Sequence, residues 1–179
     1  MVSGSKNTKL LLELLDMVPL PFKWLDNNRA VFTFEGRNFG IYVDFLSLVL
    51  KKKHASVVNV SFGIIKDKFV GADDLDTTLT NLGKIRTVLS TVAAACIANK
   101  EVALSDIVCI ASADQAKDQR NIIYSIALSE IRAKVPAFSH AKQILVMSNN
   151  GTKIILLSKV EFTEADKLEI SNILGINKL

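Results

Sequence analysis

The sequence predicts a mixed α/β (α+β) fold on a single mixed sheet, in the order α-βββ-α-β-α-ββ-α. Three observations carry this expectation. Apolar residues alternate on each side of Glu35-Gly36-Arg37-Asn38 and again over 56–66, which is the period of a strand. Residues Ile85, Val88, Leu89, Val92, Cys96 and Ile97 recur at helical spacing. The apolar runs 143–148 and 153–158 are joined through Asn150-Gly151, a pair that favours a tight hairpin turn.

Each element follows in order. Residues 8–18 read as a short amphipathic helix, with Thr8 as its cap and Pro19 and Pro21 ending it. The segment 21–28, with the single tryptophan Trp24, reads as a loop. Residues 30–46 form a hairpin with Gly36 in its turn, since Val31 and Thr33 face opposite to Phe32 and Phe34. Residues 56–66 supply the third antiparallel strand, and Lys51, Lys52 and Lys53 form a solvated turn before it. A polar loop with Asp73, Asp74 and Asp76 leads into a helix over 84–100, where Ala93, Ala94, Ala95 and Ala98 suit close packing. The run 106–111 is apolar almost throughout, as in a strand covered on both faces. A helix over 113–134 stops before Pro136. The last helix starts at Thr163, which stands at capping-box spacing from Asp166, and Gly175 suits its end. With 179 residues and no linker or repeat, residues 1–179 read as one globular domain with an N-terminal helical segment.

Composition narrows the function. Hydrophobic residues make up 49% and charged residues 22%, which excludes a disordered chain. The net charge of +4 permits contact with nucleic acid or an anionic partner without demanding it. No apolar run reaches the roughly 18 residues needed to span a bilayer, and no signal peptide is read at the start, so no membrane partner is expected. Cys96 and Cys109 sit among apolar neighbours and read as buried free thiols in a reducing compartment. With His54 and His140 they make no close-spaced metal set, and no metal or other cofactor is expected.

Catalytic motifs fail in turn. Gly83-Lys84 resembles the end of a phosphate-binding loop, but Ile85 stands where a Ser or Thr must bind magnesium, and Thr78 where the first glycine belongs. No GxGxxG or GxSxG occurs. The best remaining junction is 112–128. Ser112 and Gln115 have capping-box spacing, Asp114 and Asp118 fall in the first helical turns, and Lys117, Arg120 and Tyr124 form a stripe. Asp114 at a strand's carboxyl end occupies a position where α/β sheets commonly bind ligands.

The element order is also compatible with a ribonuclease H-like topology, in which carboxylates hold two metal ions for phosphodiester cleavage. Asp114 with Glu35 or Asp44 would supply that set, with magnesium or manganese as its cofactor. The helix after the third strand carries no acidic residue over 83–99, and a hairpin precedes the last helix, so the set is incomplete.

The stretches FTFEGRNFGIYVDF, VVNVSFGI, TNLGKIRTVLSTV and DIVCIASAD, with Arg120 four residues before Tyr124, resemble small proteins of unknown function from tailed bacteriophages. The matching positions are Gly83, Val88, Thr91, Val92, Ser112, Ala113, Arg120 and Tyr124, within about residues 30–130. The resemblance implies a phage setting, in the cytoplasm of an infected bacterium or in the virion, and brings no activity with it.

The expected function is a non-enzymatic phage accessory protein that binds a macromolecule: nucleic acid, a host factor or a virion protein. Lys51, Lys52, Lys53, Lys84, Arg86, Lys117, Arg120 and Tyr124 form the expected binding set. The alternatives are a metal-dependent nuclease using Asp114 with Glu35 or Asp44, and a virion component that oligomerises through Trp24 and the N-terminal helix.

Overall fold

Alternation and turn chemistry build one seven-stranded sheet in the spatial order β1-β2-β3-β4-β5-β7-β6. The computed structural model describes residues 18–65, 82–110, 118–147 and 153–176, and for 82–85, 118–123, 153 and 174–176 the backbone alone. The strands are β1 (Phe22–Trp24), β2 (Arg29–Phe34), β3 (Arg37–Val49), β4 (His54–Ile64), β5 (Ile107–Ile110), β6 (Lys142–Met147) and β7 (Lys153–Ser158). The helices are α1 (Leu82–Ala98), α2 (Lys100–Leu104), α3 (Asp118–Lys134) and α4 (Glu164–Ile176), with a 3-10 turn at Pro136–Phe138. The expected first helix over 8–18, the Asp73–Asp76 loop, the Ser112–Gln115 cap and the Asn150-Gly151 turn lie outside the described residues.

The mixed sheet predicted from the sequence is present. β2, β3 and β4 form an antiparallel meander, and β4 pairs in parallel with β5, Val58 opposite Val108. The meander's first turn is Glu35-Gly36, with φ of 50° and 73°. Left-handed backbone at both positions suits a two-residue hairpin, and Gly36 adopts it without side-chain strain. β6 and β7 make the expected second hairpin, and β7 adds antiparallel to β5. A ribonuclease H-like topology is not confirmed, since an antiparallel hairpin completes the sheet beyond β5.

Two elements correct the sequence reading. Residues 22–24, expected in a loop, form β1, because Phe22 and Trp24 alternate with Lys23 and pair with Phe32 and Ala30. Residues 100–104 form the separate helix α2, capped by Asn99, whose side chain accepts the amide of Glu101 at 3.0 Å. Gly175 also lies within the last turn of α4 instead of following it. The capping box at the start of α4 is present: the Thr163 amide donates to Asp166 Oδ2 at 2.9 Å, and the Asp166 amide to Thr163 Oγ1 at 3.2 Å.

Alternation divides the core between the two faces of the sheet. On one face Phe39, Ile41, Val43, Val58, Val60 and Phe62 pack beneath α1 and α3. α1 contributes Val88, Leu89, Val92, Ala93, Ala95 and Cys96, all buried. Each fully buried valine or leucine stabilises by about 1.5–3 kcal/mol, while the alanines let the helix pack closely against its neighbours. Ala93→Leu would overfill that contact at a cost of about 1–3 kcal/mol. On the other face Ile107, Cys109, Val146 and Leu156 pack with Ile170 of α4. The two cysteines therefore stand on opposite sides of the sheet, both free and buried.

This topology gives the sheet two distinct ends. β4 and β5 are parallel, so their carboxyl ends lie together, and the helices that follow them, α1 and α3, pack side by side. The β3–β4 turn lies at the opposite end. β4 spans 11 residues, so the two ends are roughly 35 Å apart.

Candidate functional site

The basic residues expected to act together are divided between those ends. Lys84 and Arg86 belong to the first turns of α1, and Arg120 to the first turn of α3, at the carboxyl end of the parallel pair. Arg86 is half-buried, and its Nε is buried without a hydrogen-bond partner among the described residues. Lys51, Lys52 and Lys53 occupy the far turn. Lys117 and Asp114 lie outside the described residues.

Lys53 is held in structure. Its Nζ donates to Asp166 Oδ2 at 2.7 Å and to the Glu161 carbonyl at 2.6 Å, and sits 5.8 Å from the Phe162 ring centre. The Lys53 ammonium, aided by the Thr163 amide, holds the Asp166 carboxyl below its ordinary pKa. The Lys51 amide donates to Glu169 Oε2 at 3.0 Å. The lysine turn is thus the clasp that seats α4 on the sheet. Lys52 is exposed.

Tyr124 is only 6% exposed and meets Phe62 edge-on, with ring centres 6.4 Å apart. It belongs to the core beneath α3 and presents no face for stacking on a base. Trp24 is half-buried against the same core, its indole Nε1 buried without an acceptor among the described residues.

Glu35 and Asp44, the alternative companions expected for Asp114, stand apart from each other. Glu35 occupies the β2–β3 turn, and Asp44 lies seven residues beyond Arg37 along β3, about 23 Å at the rise of a strand. Paired metals sit only about 4 Å apart, so these two carboxylates cannot share them. Among the described residues no group of three His, Cys, Asp or Glu side chains is placed to hold a metal ion. No helix among them is long and apolar enough to cross a membrane. Burial pushes the thiols of Cys96 and Cys109 up to about 12, so neither is a nucleophile at neutral pH.

The sheet face opposite α1 carries a cavity of about 610 Å3, lined by Pro21, Lys23, Val31, Thr33, Asn38 and Ile65. Thr33 Oγ1 lies 3.2 Å from Asn38 Oδ1 as its donor. Among the described residues the lining offers one cation and a few hydrogen-bonding groups, without a nucleophile and base to act together.

The feature that sequence reasoning missed is the outer edge of β3. β2 covers that edge only from Arg37 to Tyr42. Asn28 covers one residue more: its carbonyl accepts the Val43 amide at 2.7 Å, and its Nδ2 donates to the Val43 carbonyl at 2.9 Å. From Asp44 to Val49 no described strand pairs with this edge, although β4 pairs with the inner edge throughout. The Val43 bonds show that odd-numbered residues point their amides and carbonyls outward. Phe45, Ser47 and Val49 therefore present three outward amides and three outward carbonyls.

The side chains there are apolar and open. Phe45 is 37%, Leu46 48% and Val49 58% exposed. Natural edges are blunted by charge, proline, bulges or short length. Residues 45–50 contain no charge and no proline, and the register with β4 runs from Phe39 to Val49 without a bulge. β6, the strand at the far end of the sheet, is better guarded, with Lys142 at its start and the Met147 carbonyl accepting the Ser171 hydroxyl. The one sequence signal was the length of the alternating pattern: the run from Arg37 outlasts the six residues of β2 that can cover it.

Comparison with protein-family models, with curated proteins and with solved structures finds no match to this chain.

Proposed function

We propose that this chain is a non-enzymatic accessory protein of a tailed bacteriophage that works by binding a protein partner, which adds a strand to the outer edge of β3. The phage setting rests on the sequence resemblance. The binding mode rests on the uncharged edge from Phe45 to Val49, with which no described strand pairs. Main-chain hydrogen bonds from Phe45, Ser47 and Val49 would supply the affinity, and the exposed side chains between them the specificity.

Ser47→Pro tests this reading. The Ser47 amide points away from β4, so proline removes an outward donor and leaves the ladder to β4 intact. Extended peptides selected from a library on the parent chain should shift the amide resonances of Phe45, Ser47 and Val49 and lose binding to Ser47→Pro. Peptides that bind both chains equally would refute the edge as the site.

A second reading keeps nucleic acid as the partner, favoured by one observation. Lys84, Arg86 and Arg120 are brought to the same end of the sheet on two adjacent helices. This reading requires binding to single- or double-stranded nucleic acid that weakens steeply with salt. Lack of binding at low salt removes it.

A further inference from the structure

We infer that the occupant of the β3 edge is a second copy of this chain, paired antiparallel about a two-fold axis at Ser47. This rests on the strand-addition reading above and names its partner.

The segment Phe45-Leu46-Ser47-Leu48-Val49 reads nearly the same in both directions. Antiparallel pairing about Ser47 sets Phe45 opposite Val49 of the second copy, Leu46 opposite Leu48, and Ser47 opposite itself. An aromatic residue then faces a β-branched one, and leucine faces leucine, pairings that stabilise sheets. A two-fold contact requires this self-complementarity, because the same patch must serve both sides.

The backbone polarity agrees. Phe45, Ser47 and Val49 point their amides and carbonyls outward, so all three residues fall in hydrogen-bonded pairs about this axis. Moving the axis one residue to Leu46 or Leu48 would set Ser47 against Phe45 or Val49, an apolar side chain in either case. Charge fits as well. The apolar segment is bounded by Asp44 before it and Leu50-Lys51 after it, so pairing brings Asp44 of each copy beside the lysine turn of the other. Asn28 closes the edge at Val43 and limits the contact to this segment. The product is one continuous sheet of two seven-stranded halves.

Light scattering on the eluting full chain across a wide concentration range tests the inference. The expected molar mass rises from one chain to two. Ser47 is exposed, so Ser47→Lys and Ser47→Glu leave the core untouched while setting like charges directly opposite each other. Each variant alone should elute as one chain, and their equimolar mixture as two. A parent chain that stays single at its highest concentration would overturn the second copy as occupant, as would a Ser47→Lys chain that dimerises like the parent.

Amide exchange on the parent separates this failure from failure of the edge itself. In a single-chain species, fast exchange at Phe45, Ser47 and Val49 overturns only the second copy. Slow exchange there means the edge is already covered within the chain, and overturns both readings.

Discussion

Asn28 closes the edge of β3 at Val43. Its carbonyl accepts the Val43 amide at 2.7 Å, and its side-chain amide returns a bond to the Val43 carbonyl at 2.9 Å. Asn28 is in turn set by Asp26, whose Oδ1 accepts the amides of Asn28 and Arg29 at 2.9 and 2.8 Å. A local turn thus determines where the paired part of β3 ends and its open part begins. Asn28→Ala should lower unfolding stability by about 1 kcal/mol, the worth of one such hydrogen bond. Denaturant unfolding checks this. In a single-chain species amide exchange at Phe45 should stay unchanged, since no described strand of the same chain pairs with the edge beyond Val43.

The Lys53–Asp166 pair predicts acid sensitivity. The folded Asp166 carboxyl lies below its ordinary value of 3.8, chiefly through Lys53. Its contribution is fully present above the ordinary carboxylate range and is lost as pH falls through the lowered folded value. Asp166→Asn should therefore destabilise the protein at neutral pH and converge with the parent in strong acid. Thermal midpoints measured against pH would show this, and parallel curves would contradict it.

Tyr124 tests core against site. Its ring is buried against Phe62, so Tyr124→Ala should cost about 3–5 kcal/mol of stability, as large aromatic truncations do. Urea unfolding measures that cost. A Tyr124→Ala chain of unchanged stability would contradict the packing.

The cysteines should be silent in the native protein. Both thiols are buried and pushed up to about 12. A thiol reagent should label neither at neutral pH and both after unfolding in guanidinium. Rapid native labelling of either would refute its burial.

Much of the architecture was legible because it rests on local rules. Glu35-Gly36 encodes its hairpin through left-handed backbone, and Thr163 with Asp166 encodes a helix start through reciprocal caps. The apolar run 107–110 announced a strand covered on both faces, and all four residues are buried. β1 was missed because three residues carry too short a pattern to separate from a turn; pairing with β2 is what makes Phe22–Trp24 a strand. α2 was missed for the same reason of length.

The candidate site was less legible, because a basic residue in sequence carries no information about its distant partners. Lys53 looked like part of a solvated turn until α4, more than a hundred residues later, brought Asp166 to it. Tyr124 shared a helical face with Arg120 in the sequence, and packing turned its ring into the core.

The sequence by itself determined which segments extend, which coil, where they turn, and that two thiols lie among apolar neighbours. Those properties depend on backbone sterics, on side-chain period and on residues within a turn of one another. The tertiary structure alone decided which strands neighbour which, that the lysine turn clasps α4, and that β2 is too short to cover β3. An open edge exists only as a difference between two strands laid side by side, and neither strand's sequence contains that difference.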